Sequence, residues 1–195
     1  MGKQTLNHVL SSCRVALEQG RFTFRHDSVL RTIVDFVSNN LKEGFSLHSD
    51  LTGRGAMGGG TLPPDIITTT QKPDLVIVNR ALQSVIIFEL TVPWDGNVIT
   101  AHNHKTNKYA SLLVDLSNSG YTADLYCFEV SVRGQITKDN FARLRSYLYK
   151  TVGHSKLSCR LSKNISKAAI LGSFSIFAAR NEPIWSVGND LSVQL

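Results

Sequence analysis

Cysteine is scarce in this chain. Cys13, Cys127 and Cys159 are the three present in 195 residues. They are too few and too scattered for a disulfide framework, and the expected setting is a reducing compartment. Long apolar runs are missing too. No stretch approaches the ~20 residues that cross a bilayer, so no membrane partner is expected. Met1-Gly2-Lys3-Gln4-Thr5 does not read as a signal peptide. The glycine-rich stretch 44–64 lacks the Gly-Lys-Ser/Thr ending that cradles nucleotide phosphates. No Ser/His/Asp or Cys/His arrangement stands out for nucleophilic catalysis, and no internal repeat is visible.

Acidic residues are scarce where bases are dense. The net charge is +6. Between Arg133 and Lys167 lie Arg133, Lys138, Arg143, Arg145, Lys150, Lys156, Arg160, Lys163 and Lys167, interrupted only by Asp139. A plain solvated surface serving solubility would account for such a run. Bases without paired acids favour a phosphate backbone instead. Arg133, Lys138, Arg143 and Arg145 are the candidate contacts, with Lys108 added from the helix described below.

What is present points to one compact α/β domain with a real core, since 42% of the residues are hydrophobic. Asp74–Val78 follows a proline and is β-branched, which predicts a buried strand. Val85–Thr91 predicts a second, joined through the polar Asn79–Ser84 as a hairpin. Residues i and i+2 of a strand share a face. Glu89 and Thr91 therefore point the same way, and the hairpin brings Asp74 opposite them. A charged glutamate inside so apolar a strand is costly unless compensated. A hard divalent cation with oxygen ligands is one compensation.

Residues 98–116 select a lysine. Val98, Ala101, Tyr109, Leu112 and Leu116 recur at helical spacing, and at about 100° per residue all lie within about 40° of Lys105. Lys105 is thus centred on the inward stripe, where reaching a pair of carboxylates gives it a purpose. Lys108 lies about 60° off, towards the wet face with Asp115, Ser111 and His104. His102 is also about 60° from the stripe centre, at the margin of a cleft. Taken singly, each residue has an ordinary structural explanation: a turn aspartate, an edge glutamate, a lysine that snorkels to solvent.

The ordered set Arg25-His26-Asp27, Lys72-Pro73-Asp74, Glu89-Leu90-Thr91-Val92-Pro93, Lys105-Thr106-Asn107-Lys108-Tyr109 and Arg133-Gly134 resembles the PD-(D/E)xK restriction-like nucleases. The version it resembles is the endonuclease region of non-LTR retrotransposon polyproteins, over roughly residues 5–180. The resemblance implies a restriction-endonuclease-like core: a mixed central sheet of about four or five strands flanked by helices. It implies a metal-dependent DNA endonuclease that nicks target DNA for reverse transcription. Asp74 and Glu89 would hold Mg²⁺ or Mn²⁺. Lys105 would orient water or stabilise charge on the phosphate. Thr91 would donate a hydrogen bond, and Tyr109 would support Lys105 or touch DNA. The chain departs from the family's Glu-x-Lys, because Thr91 stands third; the resemblance places the lysine on the following helix. The implied partners are DNA and the reverse transcriptase of the same element, in a nuclear or nucleocytoplasmic setting. The alternative is a decayed or domesticated nuclease that only binds DNA.

His8 and Cys13 resemble the second half of a Cys-Cys-His-Cys zinc knuckle whose first half is missing. Two ligands do not hold structural zinc, so none is expected. Residues 1–20 read as a knuckle remnant or linker of a truncated piece, and 21–195 as the nuclease domain. An ordinary helix over Leu6–Leu17 is the plain alternative. Elsewhere the patterns predict helices over Asp27–Leu41, Asp139–Thr151 with Asp139 as N-cap, and Ser162–Arg180. They also predict a strand over Thr122–Val132 and a long loop over 44–64. His26 reads as holding the start of the first of these helices, and Cys127 as a core residue.

Overall fold

The computed structural model describes residues 5–51, 62–153 and 158–185. Four strands form one mixed sheet in the order β1 (Ser46–Ser49), β2 (Leu75–Asn79), β3 (Ser84–Thr91), β4 (Thr122–Glu129). β1 and β2 pair antiparallel, as do β2 and β3, whereas β3 and β4 run parallel. The helices are α1 (Arg14–Glu18), α2 (Arg21–Ser38), α3 (Val98–Asn118), α4 (Lys138–Val152) and α5 (Ser158–Ala178). This is the expected α/β architecture, a mixed sheet flanked by helices. No helix among the described residues is long and apolar enough to cross a membrane.

Strand alternation divides the core into two layers. Leu75, Ile77, Ile86, Phe88, Leu90 and Phe128 face one way, into a cluster with Val29, Ile33 and Val37 of α2, Leu144 and Tyr147 of α4, and Leu161 and Ile165 of α5. Val76, Val78, Val85 and Ile87 face the other way, onto Tyr109, Leu112 and Leu116 of α3 and onto Leu62 and Ile66. The parallel β3–α3–β4 crossover therefore lays α3 over the face opposite the other helices. This places the candidate lysine above the strand that carries Glu89.

Several boundaries differ from expectation. α2 begins at Arg21 rather than Asp27, directly after Gly20, whose φ of 70° stops the preceding segment. Its first turns carry buried Arg21 and Arg25, which apolar periodicity does not count. His26 is consequently inside the helix and does not hold its start. β4 ends at Glu129, not Val132. The Thr137 side chain, not Asp139, caps α4 by accepting from Asn140 N at 3.2 Å. α5 starts at Ser158 and ends at Ala178. The expected loop over 44–64 contains β1, and its Gly53–Gly55 and Gly58–Gly60 lie outside the described residues. Residues 6–17 are not one helix: a π-type turn at His8–Ser12 and α1 meet at Cys13, which is extended. Val9 and Leu10 of that segment belong to the main core cluster.

Candidate active site

The hairpin fixes the carboxylates through backbone groups. Asp74 N donates to Glu89 Oε2 at 3.0 Å, and Leu90 N donates to Asp74 Oδ2 at 2.7 Å. Each acid thus binds the other's strand. Glu89 follows Val85 and Ile87 on the face under α3, and its side chain is 1% exposed. Asp74 lies just before β2 and its side chain is 13% exposed, so the pair opens to solvent on the aspartate side.

α3 supplies the cation. Lys105 Nζ donates to Glu89 Oε1 in a direct ion pair. Burial, then the adjacent Asp74 charge, push the Glu89 carboxyl above its ordinary range, while Lys105 pulls it back down. Two acids this close in a poorly hydrated place call for positive charge, and the ammonium meets part of that demand.

Tyr109 is fully buried one turn beyond Lys105. Its hydroxyl donates to the Lys72 carbonyl at 3.0 Å and accepts from Lys108 Nζ at 2.9 Å. It therefore steadies the Lys72-Pro73-Asp74 segment from beneath and offers no surface to DNA. Burial and then the Glu89 charge raise the phenol above its ordinary value. Lys108 is exposed, as expected, but its ammonium folds back onto that hydroxyl instead of extending to solvent. Thr91 Oγ1 is buried and has no hydrogen-bond partner among the described residues.

His26 joins the site from the opposite layer. Its Nδ1 is 3.0 Å from Asp27 Oδ1 and its Nε2 3.3 Å from Asp74 Oδ2. Burial works to lower the imidazole, but the hydrogen bonds and charges of Asp27 and Asp74 outweigh it and raise His26 to about 10. Arg25, the preceding residue, spends its guanidinium on the Leu10 and Val92 carbonyls and on Ser173 Oγ. It ties the segment after β3 to α5, and burial lowers it to about 10.

Of the basic candidates, Arg133 pairs with Asp95 and lies over the Trp94 ring at 5.5 Å. Arg143 turns inward to Asn140 Oδ1 at 2.6 Å and to within 3.5 Å of Glu129 Oε2. Lys138 and Arg145 are exposed and have no ion pair among the described residues. The acid that patterning overlooked is Glu129, 1% exposed at the end of β4, with Oε1 3.0 Å from His102 Nδ1. A signal for it exists: Phe128-Glu129-Val130 repeats Phe88-Glu89-Leu90, a carboxylate set between buried apolar neighbours at a strand end. Cys127, between the two acids on this face, is a buried free thiol with Thr106 Oγ1 at 3.6 Å, and burial pushes it up.

No group of three or more His, Cys, Asp and Glu side chains among the described residues is disposed to hold a metal. Mg²⁺ does not need one, since it binds through one or two carboxylates and keeps waters and phosphate oxygens as its other ligands. Asp74 Oδ1 has no hydrogen-bond partner among the described residues, and the orphaned Thr91 hydroxyl follows Glu89 on the same face. The donor set fits such an ion. The chain matches no family model and no curated protein.

Proposed function

We propose that the chain is a divalent-metal-dependent endonuclease for DNA, of the PD-(D/E)xK type that its motifs resemble. The observation that supports it most is the convergence of Asp74, Glu89 and Lys105. Two carboxylates are locked together through each other's backbone, and one is fully buried and answered by a lysine from a different element. A structural ion pair requires no second acid, partly exposed, locked beside it.

In this reading Asp74 and Glu89 hold Mg²⁺ or Mn²⁺. The ion would polarise the scissile phosphate and acidify the attacking water. Lys105, held by Glu89, directs its remaining protons towards the phosphate and stabilises the charge that develops there. The Thr91 hydroxyl is buried, so in this reading it is a donor to a water inside the site and not to the phosphate. Tyr109 acts at one remove, through the Lys72 carbonyl, on the placement of Asp74. The unpaired Lys138 and Arg145 carry DNA affinity that falls with salt.

One observation favours a second reading, DNA binding without cleavage. Lys105 neutralises Glu89 directly, so the arrangement stands without a metal. Nicking of supercoiled plasmid with Mg²⁺ or Mn²⁺ separates the two. The nuclease reading expects cleavage by the wild type and none by Asp74→Ala, Glu89→Ala or Lys105→Ala. Wild-type binding without cleavage, unchanged across the variants, establishes the second reading. Activity that survives only in Lys105→Ala keeps the metal site and moves the third role to Thr91 or Lys108.

A further inference from the structure

Beside the Asp74–Glu89 pair lies a pocket of about 240 Å³, lined by His102 and its neighbours at the start of α3, by Glu129 of β4, and by Asp139, Asn140 and Arg143 of α4. Its floor is the buried Glu129. One carboxylate oxygen orients the imidazole through Nδ1, and the other lies 3.5 Å from the Arg143 guanidinium without a hydrogen bond. Asn140 secures the assembly from both sides. Its Nδ2 donates to the Glu129 carbonyl at 2.8 Å, and its Oδ1 accepts from Arg143 Nη1 at 2.6 Å.

Such a cluster is a poor investment for stability alone, because a buried carboxylate and its cations rarely outperform apolar packing. What it achieves is placement. With Nδ1 committed to Glu129, His102 leaves Nε2 without a partner among the described residues, beside the cavity that the ring lines. A guanidinium has five N–H donors, and one bond to Asn140 leaves most of those of Arg143 for a ligand. The first turns of α3 and α4 form the rim, so the N-terminal, positive ends of both helices lie at the pocket's edge. Asp139, exposed on that rim, and the Glu129 carboxylate on the floor both limit the positive potential.

Position decides the ligand. Glu129 is opposite Thr91 and Cys127 opposite Glu89 in the parallel register, so the two acids are separated by two residues along the strand and one strand across, a diagonal of about 8 Å. His102 precedes Lys105 by three residues, about 4.5 Å of helix. A strand that set its scissile phosphate at Glu89 and Lys105 and ran towards β4 would bring a neighbouring phosphate to this pocket. We propose that the pocket binds that neighbouring backbone phosphate, with His102 and Arg143 as the contacting groups and Glu129 as the positioning residue. The proposal rests on the nuclease reading for its register, and it assigns the subsite that sets where the strand lies on the metal site.

The test uses the full chain and a labelled DNA duplex in EDTA, so that binding is read without cleavage, over a range of KCl. Arg143→Gln is expected to lower the slope of log K against log salt by about 0.9, the value for one phosphate contact. Arg143→Lys keeps the charge and the slope. His102→Gln weakens binding at fixed salt. Urea midpoints verify that each variant is folded. Folded Arg143→Gln and His102→Gln proteins that bind like wild type overturn the proposal. So does a pocket that inorganic phosphate saturates, read from the His102 ring resonances, without displacing DNA, because the ligand is then free phosphate. Nicking in Mg²⁺ is scored separately. A changed slope without wild-type nicking supports the subsite while the nuclease reading fails, and nicking with unchanged slopes overturns the subsite alone.

Discussion

Removing the lysine from the Lys105–Glu89 pair produces a penalty whose size and pH dependence both follow from the geometry. In Lys105→Met the ammonium is lost while the apolar stem is kept. Glu89, 1% exposed, is left beside Asp74 without a cation, supported by the Asp74 N–H and the nearby Tyr109 hydroxyl. It then has two choices: remain charged in a dry site, or take up a proton. Protonation caps the cost at about 1.4 kcal/mol for each pH unit above the ordinary glutamate value of 4.5. The ceiling is therefore about 3.4 kcal/mol at pH 7 and about 1.4 kcal/mol at pH 5.5. The sign follows from linkage. With its folded value raised above 4.5, the native state of the variant holds a proton that the unfolded chain releases, so stability falls as pH rises from 4.5 towards that folded value. Urea unfolding of wild type and variant at the two pH values measures the difference. Lys105→Met combined with Glu89→Gln should recover most of the loss, since no charge is then left unpaired. Added Mg²⁺ should stabilise the single variant, because the ion replaces the missing ammonium and binds only the folded state. A loss equal at pH 5.5 and pH 7, or one that Glu89→Gln does not relieve, would refute the reasoning.

Three further outcomes are expected. His26, raised from 6.5 to about 10, contributes stability that is complete below pH 6.5 and disappears as pH rises towards 10. His26→Gln should therefore flatten the stability profile across that window in pH-dependent urea melts. Tyr109→Phe removes a buried hydroxyl that serves both the Lys72 carbonyl and Lys108; a loss of about 1 kcal/mol is expected, with plasmid nicking slowed rather than abolished. Gly134→Ala puts a Cβ 2.8 Å from the Ser166 carbonyl at a φ of +77°, so a fall of about 1–3 kcal/mol is expected in thermal or urea unfolding.

The parts of the fold carried by side-chain chemistry in continuous runs were legible in the sequence. β2 and β3 declare themselves because Leu75–Val78 and Val85–Leu90 are β-branched or bulky and flank a polar turn. The phase of α3 follows from Tyr109, Leu112 and Leu116, and it correctly put Lys105 rather than Lys108 beside Glu89. β1 was not legible, because Ser46-Leu47-His48-Ser49 is short and polar and forms a strand only by pairing with β2. The start of α2 was misread because Arg21 and Arg25 are buried through hydrogen bonds to backbone carbonyls, and periodicity counts arginine as surface. That single error hid the contact of His26 with Asp74. Glu129 escaped notice because an acid at the close of a strand resembles a solvent-facing residue until its tertiary partners, His102 and Arg143, are in place.

Among the described residues α3 is the only helix on its side of the sheet, with Leu62 and Ile66 helping to cover Val76, Val78, Val85 and Ile87. The same helix brings Lys105 to Glu89 and His102 to Glu129. Placement of the proposed catalytic lysine and protection of the smaller of the two core clusters thus depend on one helix. Any opening that releases the lysine also wets an aliphatic face, so the amides of α3 should exchange with solvent only through near-global unfolding. Drift in the sequence of α3 is thereby coupled to folding: the segment that carries Lys105 and His102 is also the one that keeps this face of the sheet dry.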